Sequence, residues 1–284
     1  MLYVLPLVLL PLLVLPGCNL VRNVPEKKLE SVRQGEMVRF FYPSSGGQVE
    51  AYITRPHAAA PTPLVILLHG HSLAGRGAVQ VLRAAGTLSD DLCLTTLAIS
   101  LPGYGATDVP SGSIPTVTRQ VVLDGLALTQ KLSWVDAQKV FFYGVSRGAI
   151  VASALVKDVE NLRGAILVSG AYDLERLYKE STNFWLRSLL NPNGETNPKF
   201  MNLVTDPSRW HVPTLIMHGA ADKLIPAQQA RQLQQRLQAA GTASRLVVYP
   251  DQGHLLPLRV SKEATVNFLN EITGAACPAG AQVS

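Results

Sequence analysis

The chain has 284 residues, 47% of them hydrophobic and 16% charged, which is enough to bury one large core and too few for two full domains. Its 25 Lys and Arg against 20 Asp and Glu leave a formal charge of +5, modest for this length. Beyond Arg22 and the pair Lys27-Lys28 no basic block follows the N-terminal region, and no nucleic-acid-binding motif occurs. The positive balance therefore reads as a solvated surface, with nucleic acid excluded as a partner.

Leu2 to Pro16 is an uncharged apolar run carrying three prolines. It is shorter than the roughly 20 residues that a spanning helix needs, so residues 1–17 read as a signal peptide. The junction Leu15-Pro16-Gly17-Cys18 resembles a bacterial lipobox. That resemblance implies a lipid-modified Cys18 as the first mature residue, and an exported lipoprotein held at a membrane on the periplasmic or cell-surface side. The alternative is a plain secretory signal in which Cys18 is incidental. Residues 18–35 are polar and charged and read as a tether. Of the other two cysteines, Cys93 lies in an apolar stretch and Cys277 in the tail 274–284; an export signal permits a disulfide between them, but they read first as a buried free thiol and a tail thiol.

Met37–Tyr42 and Gln48–Thr54 alternate as two strands around the turn Pro43-Ser44-Ser45-Gly46-Gly47. Then come six near-continuous apolar runs: Leu64–Leu68, Cys93–Ile99, Val140–Tyr143, Ala165–Val168, Thr214–Met217 and Leu246–Tyr249. Runs of this kind suit strands buried on both faces, and helical segments separate them, which predicts an α/β fold with a mostly parallel sheet of about eight strands. Pro226–Ala240 has both end signals of a helix, with Ala230, Leu233, Leu237 and Ala240 on one face before Gly241. Ser261 is placed to cap the last helix. The irregular stretch from Gly170 to Pro213 reads as a short cap insertion or as a satellite helix pair with its own small core.

The chemistry centres on Gly144-Val145-Ser146-Arg147-Gly148. A buried strand precedes it and a helix-forming run follows, so Ser146 sits on a strand-to-helix turn that holds its hydroxyl clear of the backbone. One such motif is expected by chance in this composition at a frequency of about 0.1, so its partners must carry the assignment. A serine hydroxyl needs a base, an orienter for that base and donors for an oxyanion. Asp222 follows the strand that ends in His218, His254 follows the last strand, and His69-Gly70-His71 follows the first parallel one. In open α/β sheets these strand ends share one edge.

The order Ser146, Asp222, His254, each just past a strand, resembles the α/β-hydrolase superfamily. The blocks Ser169-Gly170-Ala171-Tyr172-Asp173-Leu174, His218-Gly219-x-x-Asp222 and Gly253-His254 resemble the catalytic domain of prolyl-oligopeptidase-like and dienelactone-hydrolase-like proteins, over residues 36–273. The chain departs from that pattern in carrying no preceding β-propeller, and Ala149 where many peptidase members have Gly. The resemblance implies that Ser146 attacks a carbonyl, that His254 shuttles the proton and that Asp222 fixes the imidazole tautomer. It also implies an oxyanion hole from the backbone N–H groups of Arg147 and His71. No cofactor is called for, and no paired Cys or H-E-x-x-H spacing points to a metal.

The neighbours read more plainly. His69 shapes the oxyanion loop, His218 packs at a strand end, and Asp173, which follows a strand where some hydrolases carry the acid, reads first as a helix start. Asp251 competes with Asp222 as the acid only through awkward local geometry. Arg147 supplies its N–H whatever its side chain does, although a guanidinium beside the nucleophile could also bind an anionic substrate. Three functions follow: a serine hydrolase of small or medium acyl esters, a serine peptidase acting on short peptides, and, from another class, a surface lipoprotein that binds a ligand without catalysis.

Overall fold

The computed structural model describes residues 21–111, 114–184, 186–187, 210–274 and 277. The segment expected to be a signal peptide, Cys18 and most of the candidate cap and tail lie outside these residues. A nine-stranded sheet runs in the order β1-β2-β3-β5-β4-β6-β7-β8-β9. Its strands are β1 (Arg22–Asn23), β2 (Glu36–Ser44), β3 (Gly47–Arg55), β4 (Thr62–Leu68), β5 (Thr95–Ile99), β6 (Val135–Val145), β7 (Leu162–Val168), β8 (Thr214–Gly219) and β9 (Ser244–Tyr249). Each of the six apolar runs supplies one of the strands β4 to β9, and these pair in parallel. β2 and β3 form an antiparallel hairpin, and β3 pairs antiparallel with β5.

Both faces of the sheet are covered, which is why its central strands lack polar alternation. Leu64, Ile66, Leu68, Val140 and Phe142 face helices α2 (Arg119–Thr129), α3 (Arg147–Leu155) and α5 (Gln228–Ala239). Val65, Leu67, Phe141 and Tyr143 face α1 (Leu82–Leu92) and α6 (Leu258–Thr273). A further helix, α4 (Leu174–Glu180), joins a small cluster in which Leu174 and Leu177 meet Ile150 of α3 and Ile225. The described part of the candidate cap thus packs beside the elements that carry Ser146 and Asp222.

The structure departs from the sequence reading at four places. Residues 22–32 are not a tether: β1 adds to the edge of β2, and Val24, Leu29 and Val32, at 4%, 1% and 1% exposure, enter the main core. Cys93 is not a free thiol and does not begin a strand; it caps α1 with φ +51° and is disulfide-bonded to Cys277, Cα to Cα 5.3 Å. Such a bridge closes a loop of 184 residues, which in the chain-entropy account stabilises the fold by about 5 kcal/mol. Ser261 lies inside α6, which starts after Pro257, so it does not cap that helix. The hairpin turn is tighter than expected: β2 and β3 pair up to Ser44 and Gly47, leaving only Ser45-Gly46 as the loop.

One buried histidine ties the loops at the carboxyl edge together. His69 has no exposed surface; its Nε2 accepts from Leu101 N–H at 2.9 Å and its Nδ1 donates to the Gly70 carbonyl at 2.7 Å. Burial, with the charge of Arg147 adding to it, pushes its pKa down to about 4.

Two expectations follow. Leu29→Ala should cost about 3 kcal/mol in urea unfolding, because it empties a core position; a change under about 0.5 kcal/mol would return that segment to a solvated tether. His69 is held neutral, so as pH falls the unfolded chain binds its proton first, and stability should drop between about pH 7 and pH 4. From pH 7 to pH 5 that loss is about 2 kcal/mol for this one group. In a His69→Asn variant the dependence should flatten by that amount, and an unchanged slope would assign the titration to other groups.

Candidate active site

Ser146 stands between β6 and α3 with φ +52° and ψ −112°, a conformation rarely adopted by a residue with a side chain. The turn is possible because its flanking glycines touch backbone. A Cβ on Gly144 would lie 2.4 Å from the Gly148 carbonyl oxygen, and one on Gly148 would lie 2.0 Å from that of Leu68. The Ser146 N–H donates to Val168 O at 2.7 Å, anchoring the turn to the neighbouring strand.

From this turn runs a chain of short hydrogen bonds. Ser146 Oγ is 2.9 Å from His254 Nε2, and His254 Nδ1 is 2.8 Å from Asp222 Oδ2. The loops carrying the last two are bound to each other: Ala220 N–H donates to Tyr249 O and Ala221 N–H to Gln252 O. Asp222 is sealed from solvent, whereas the His254 side chain keeps 18% of its exposure. The acid is saturated with donors. Its Oδ1 accepts from the N–H groups of Leu224 and Ile225, both at 2.9 Å, and its Oδ2 accepts from a second imidazole, His218 Nε2, at 3.1 Å. Burial alone would raise the Asp222 pKa, but hydrogen bonds from His218, His254 and Ile225 outweigh it and hold the carboxyl well below the usual carboxylate range.

His218 is more than a packed strand end. Its Nε2 reaches both Asp222 and the Ile225 carbonyl, at 2.8 Å for the latter, while its buried Nδ1 has no partner. Two acceptors at one nitrogen place a proton there, on Nε2. His218 therefore steadies the carboxylate oxygen that also receives His254. The motif His218-Gly219-x-x-Asp222 held this signal, but its meaning needed the loop to fold back on the strand.

The opposite side of Ser146 is positive and rich in donors. Arg147 is the first residue of α3, so its N–H has no carbonyl four residues back within the helix. A Cβ on Gly70 would lie 3.3 Å from Ser146 Cβ, which places the His69–His71 loop alongside the serine. His71 Nδ1 is 2.5 Å from the Tyr104 hydroxyl, and burial together with the Arg147 charge lowers its pKa. Two further sequence candidates stand apart: Asp251 is exposed and is not the partner of His254, and Asp173 caps α4 by accepting from Arg176 N–H at 3.0 Å. Among the described residues no group of His, Cys, Asp or Glu is arranged to hold a metal.

The comparisons with known proteins agree with this architecture. A protein of Salmonella typhimurium assigned provisionally as a carboxymethylenebutenolidase is 24% identical over 235 residues, 75% of this chain and 74% of that one. The acylaminoacyl peptidase of Pyrococcus horikoshii superposes with a TM-score of 0.69 at 13% identity, over 86% of this chain and 43% of its own. The chain thus spans less than half the length of that peptidase. An esterase of Pyrococcus furiosus superposes with a TM-score of 0.65 at 16% identity, over 87% of this chain and 93% of its own. These likenesses show the α/β-hydrolase fold. Residues 118–273, from the start of α2 through α6 and including Ser146, Asp222 and His254, match the prolyl oligopeptidase family, and the chain belongs to it.

Proposed function

We propose that this hydrolase cleaves esters of small or medium acyl groups through an acyl-enzyme on Ser146. The observation that carries the reading is the unbroken relay from Ser146 Oγ through His254 to Asp222, with links of 2.9 and 2.8 Å, on a strained turn at the carboxyl edge of the sheet. Ser146 Oγ attacks the carbonyl carbon as its proton passes to His254 Nε2. The resulting oxyanion accepts from the N–H groups of Arg147 and His71, each worth about 3 kcal/mol of transition-state stabilisation. Collapse breaks the carbon–oxygen bond to the leaving alcohol, which takes the proton from His254. Water then gives a proton to His254 as it attacks the acyl carbon; the acyl–Oγ bond breaks, Ser146 Oγ takes that proton back from His254, and the acid leaves. Asp222, kept ionised by its four donors, stabilises the imidazolium at each stage.

Ester rather than amide cleavage is supported by two features. The fold shared with the Pyrococcus furiosus esterase takes up 93% of that chain, so the unit present here is the size of such an enzyme. In addition, an alkoxide leaves with less help from His254 than an amine does. The family match favours a second reading, a peptidase acting on short peptides.

The two readings separate on an aryl acetate and the matching anilide. The ester should be preferred in kcat/KM by about 10³ or more, roughly 4 kcal/mol in barrier, and Ser146→Ala should abolish turnover while melting as the wild type does. A ratio near unity would establish the peptidase. Wild-type turnover by Ser146→Ala would remove the mechanism.

A further inference from the structure

Arg147 is a cation beside the nucleophile with no counterion among the described residues. Its Nε is shut off from solvent and has no acceptor among the described residues. It takes part in none of the ion pairs among the described residues, whereas Arg22, Arg39 and Arg119 each hold a carboxylate. The two buried acids in this half of the molecule are already committed. Asp222 is filled by its imidazoles and backbone donors; Glu50 is bound by Arg39 at 2.6 Å, by Ser100 Oγ at 2.6 Å and by Ala106 N–H at 3.1 Å. The Arg147 charge is felt on the side of the site away from Asp222: it acts on His69, His71 and Tyr104. His71 and Tyr104, joined at 2.5 Å, lie within that field, and burial disfavours a charge on either, so neither offsets the guanidinium.

A guanidinium left unpaired beside a nucleophile is costly unless a ligand supplies the acceptor, and its planar fork matches a carboxylate. We propose that Arg147 selects esters bearing a carboxylate a few bonds from the scissile carbonyl, such as half-esters of short dicarboxylic acids. The His71–Tyr104 pair borders the same anion subsite. This assignment rests on the ester hydrolase reading above and names the substrate class that the site takes. The Arg147 backbone N–H serves the oxyanion, and its side chain serves the substrate's charge.

The test compares monoethyl succinate with ethyl succinamate, its uncharged isostere, by following acid release from the full chain. The succinate ester should be preferred in kcat/KM by roughly tenfold to a hundredfold, mostly through KM, as expected for one hydrogen-bonded charge pair. In Arg147→Met the preference should collapse, and Arg147→Lys should restore part of it. Equal kcat/KM for the two esters in the wild type would overturn the proposal. So would an Arg147→Met loss of the same size on both esters, because the guanidinium would then act on the oxyanion instead. Should Arg147→Met fail to fold, the wild type alone decides: succinate must inhibit aryl acetate hydrolysis at least tenfold more strongly than succinamide, and equal inhibition overturns the proposal. Failure to hydrolyse aryl acetate at all would instead defeat the hydrolase reading and this proposal with it, so the two failures are distinguishable.

Discussion

The turn between β6 and α3 is the constraint on which the rest depends. Holding Ser146 at φ +52° costs about 1–3 kcal/mol, and the turn persists because strand, helix and neighbouring strand over-determine it. Gly144 and Gly148 allow backbone-to-backbone contact that any side chain would block. The Val168 carbonyl fixes the Ser146 N–H, and the sheet beneath is apolar on both faces. The two cores that bury the central strands therefore also hold one hydroxyl in a strained place.

Electrostatics divide the site into two halves. On one side Asp222 gathers four donors in a sealed pocket, so a single negative charge is kept where an imidazolium can form. On the other, the start of α3 and the Arg147 guanidinium are positive, while the two neighbouring histidines are held towards neutrality by burial and by that charge. Charge that builds on a carbonyl oxygen meets donors, and charge that builds on His254 meets a carboxylate. His218 belongs to the first half and Tyr104 to the second. Each steadies a group that faces the serine.

Much of this was legible because chemistry-bearing residues follow apolar runs. The six runs give the six parallel strands, and Ser146, Asp222 and His254 each come just past one of them, so their meeting at one edge follows from topology. What stayed hidden depends on contacts between distant residues or on sparse patterns. Val24, Leu29 and Val32 are thinly spaced among charges, with no period that marks a core element, yet they are buried. The pairing of Cys93 with Cys277 spans 184 residues and leaves no local trace. The second imidazole on Asp222 and the lack of an acceptor for Arg147 Nε among the described residues are properties of folded loops, and composition is silent about both.

The central claim is that the relay makes Ser146 a nucleophile in the folded protein. A fluorophosphonate probe reports this directly, since it reacts with a serine whose hydroxyl is activated by a base and whose oxyanion is stabilised. Peptide mass mapping should find one probe per chain, on Ser146, with labelling lost after heat denaturation and suppressed by at least a hundredfold in His254→Ala. Absence of labelling in the native protein, or attachment at a serine other than Ser146, would contradict the account.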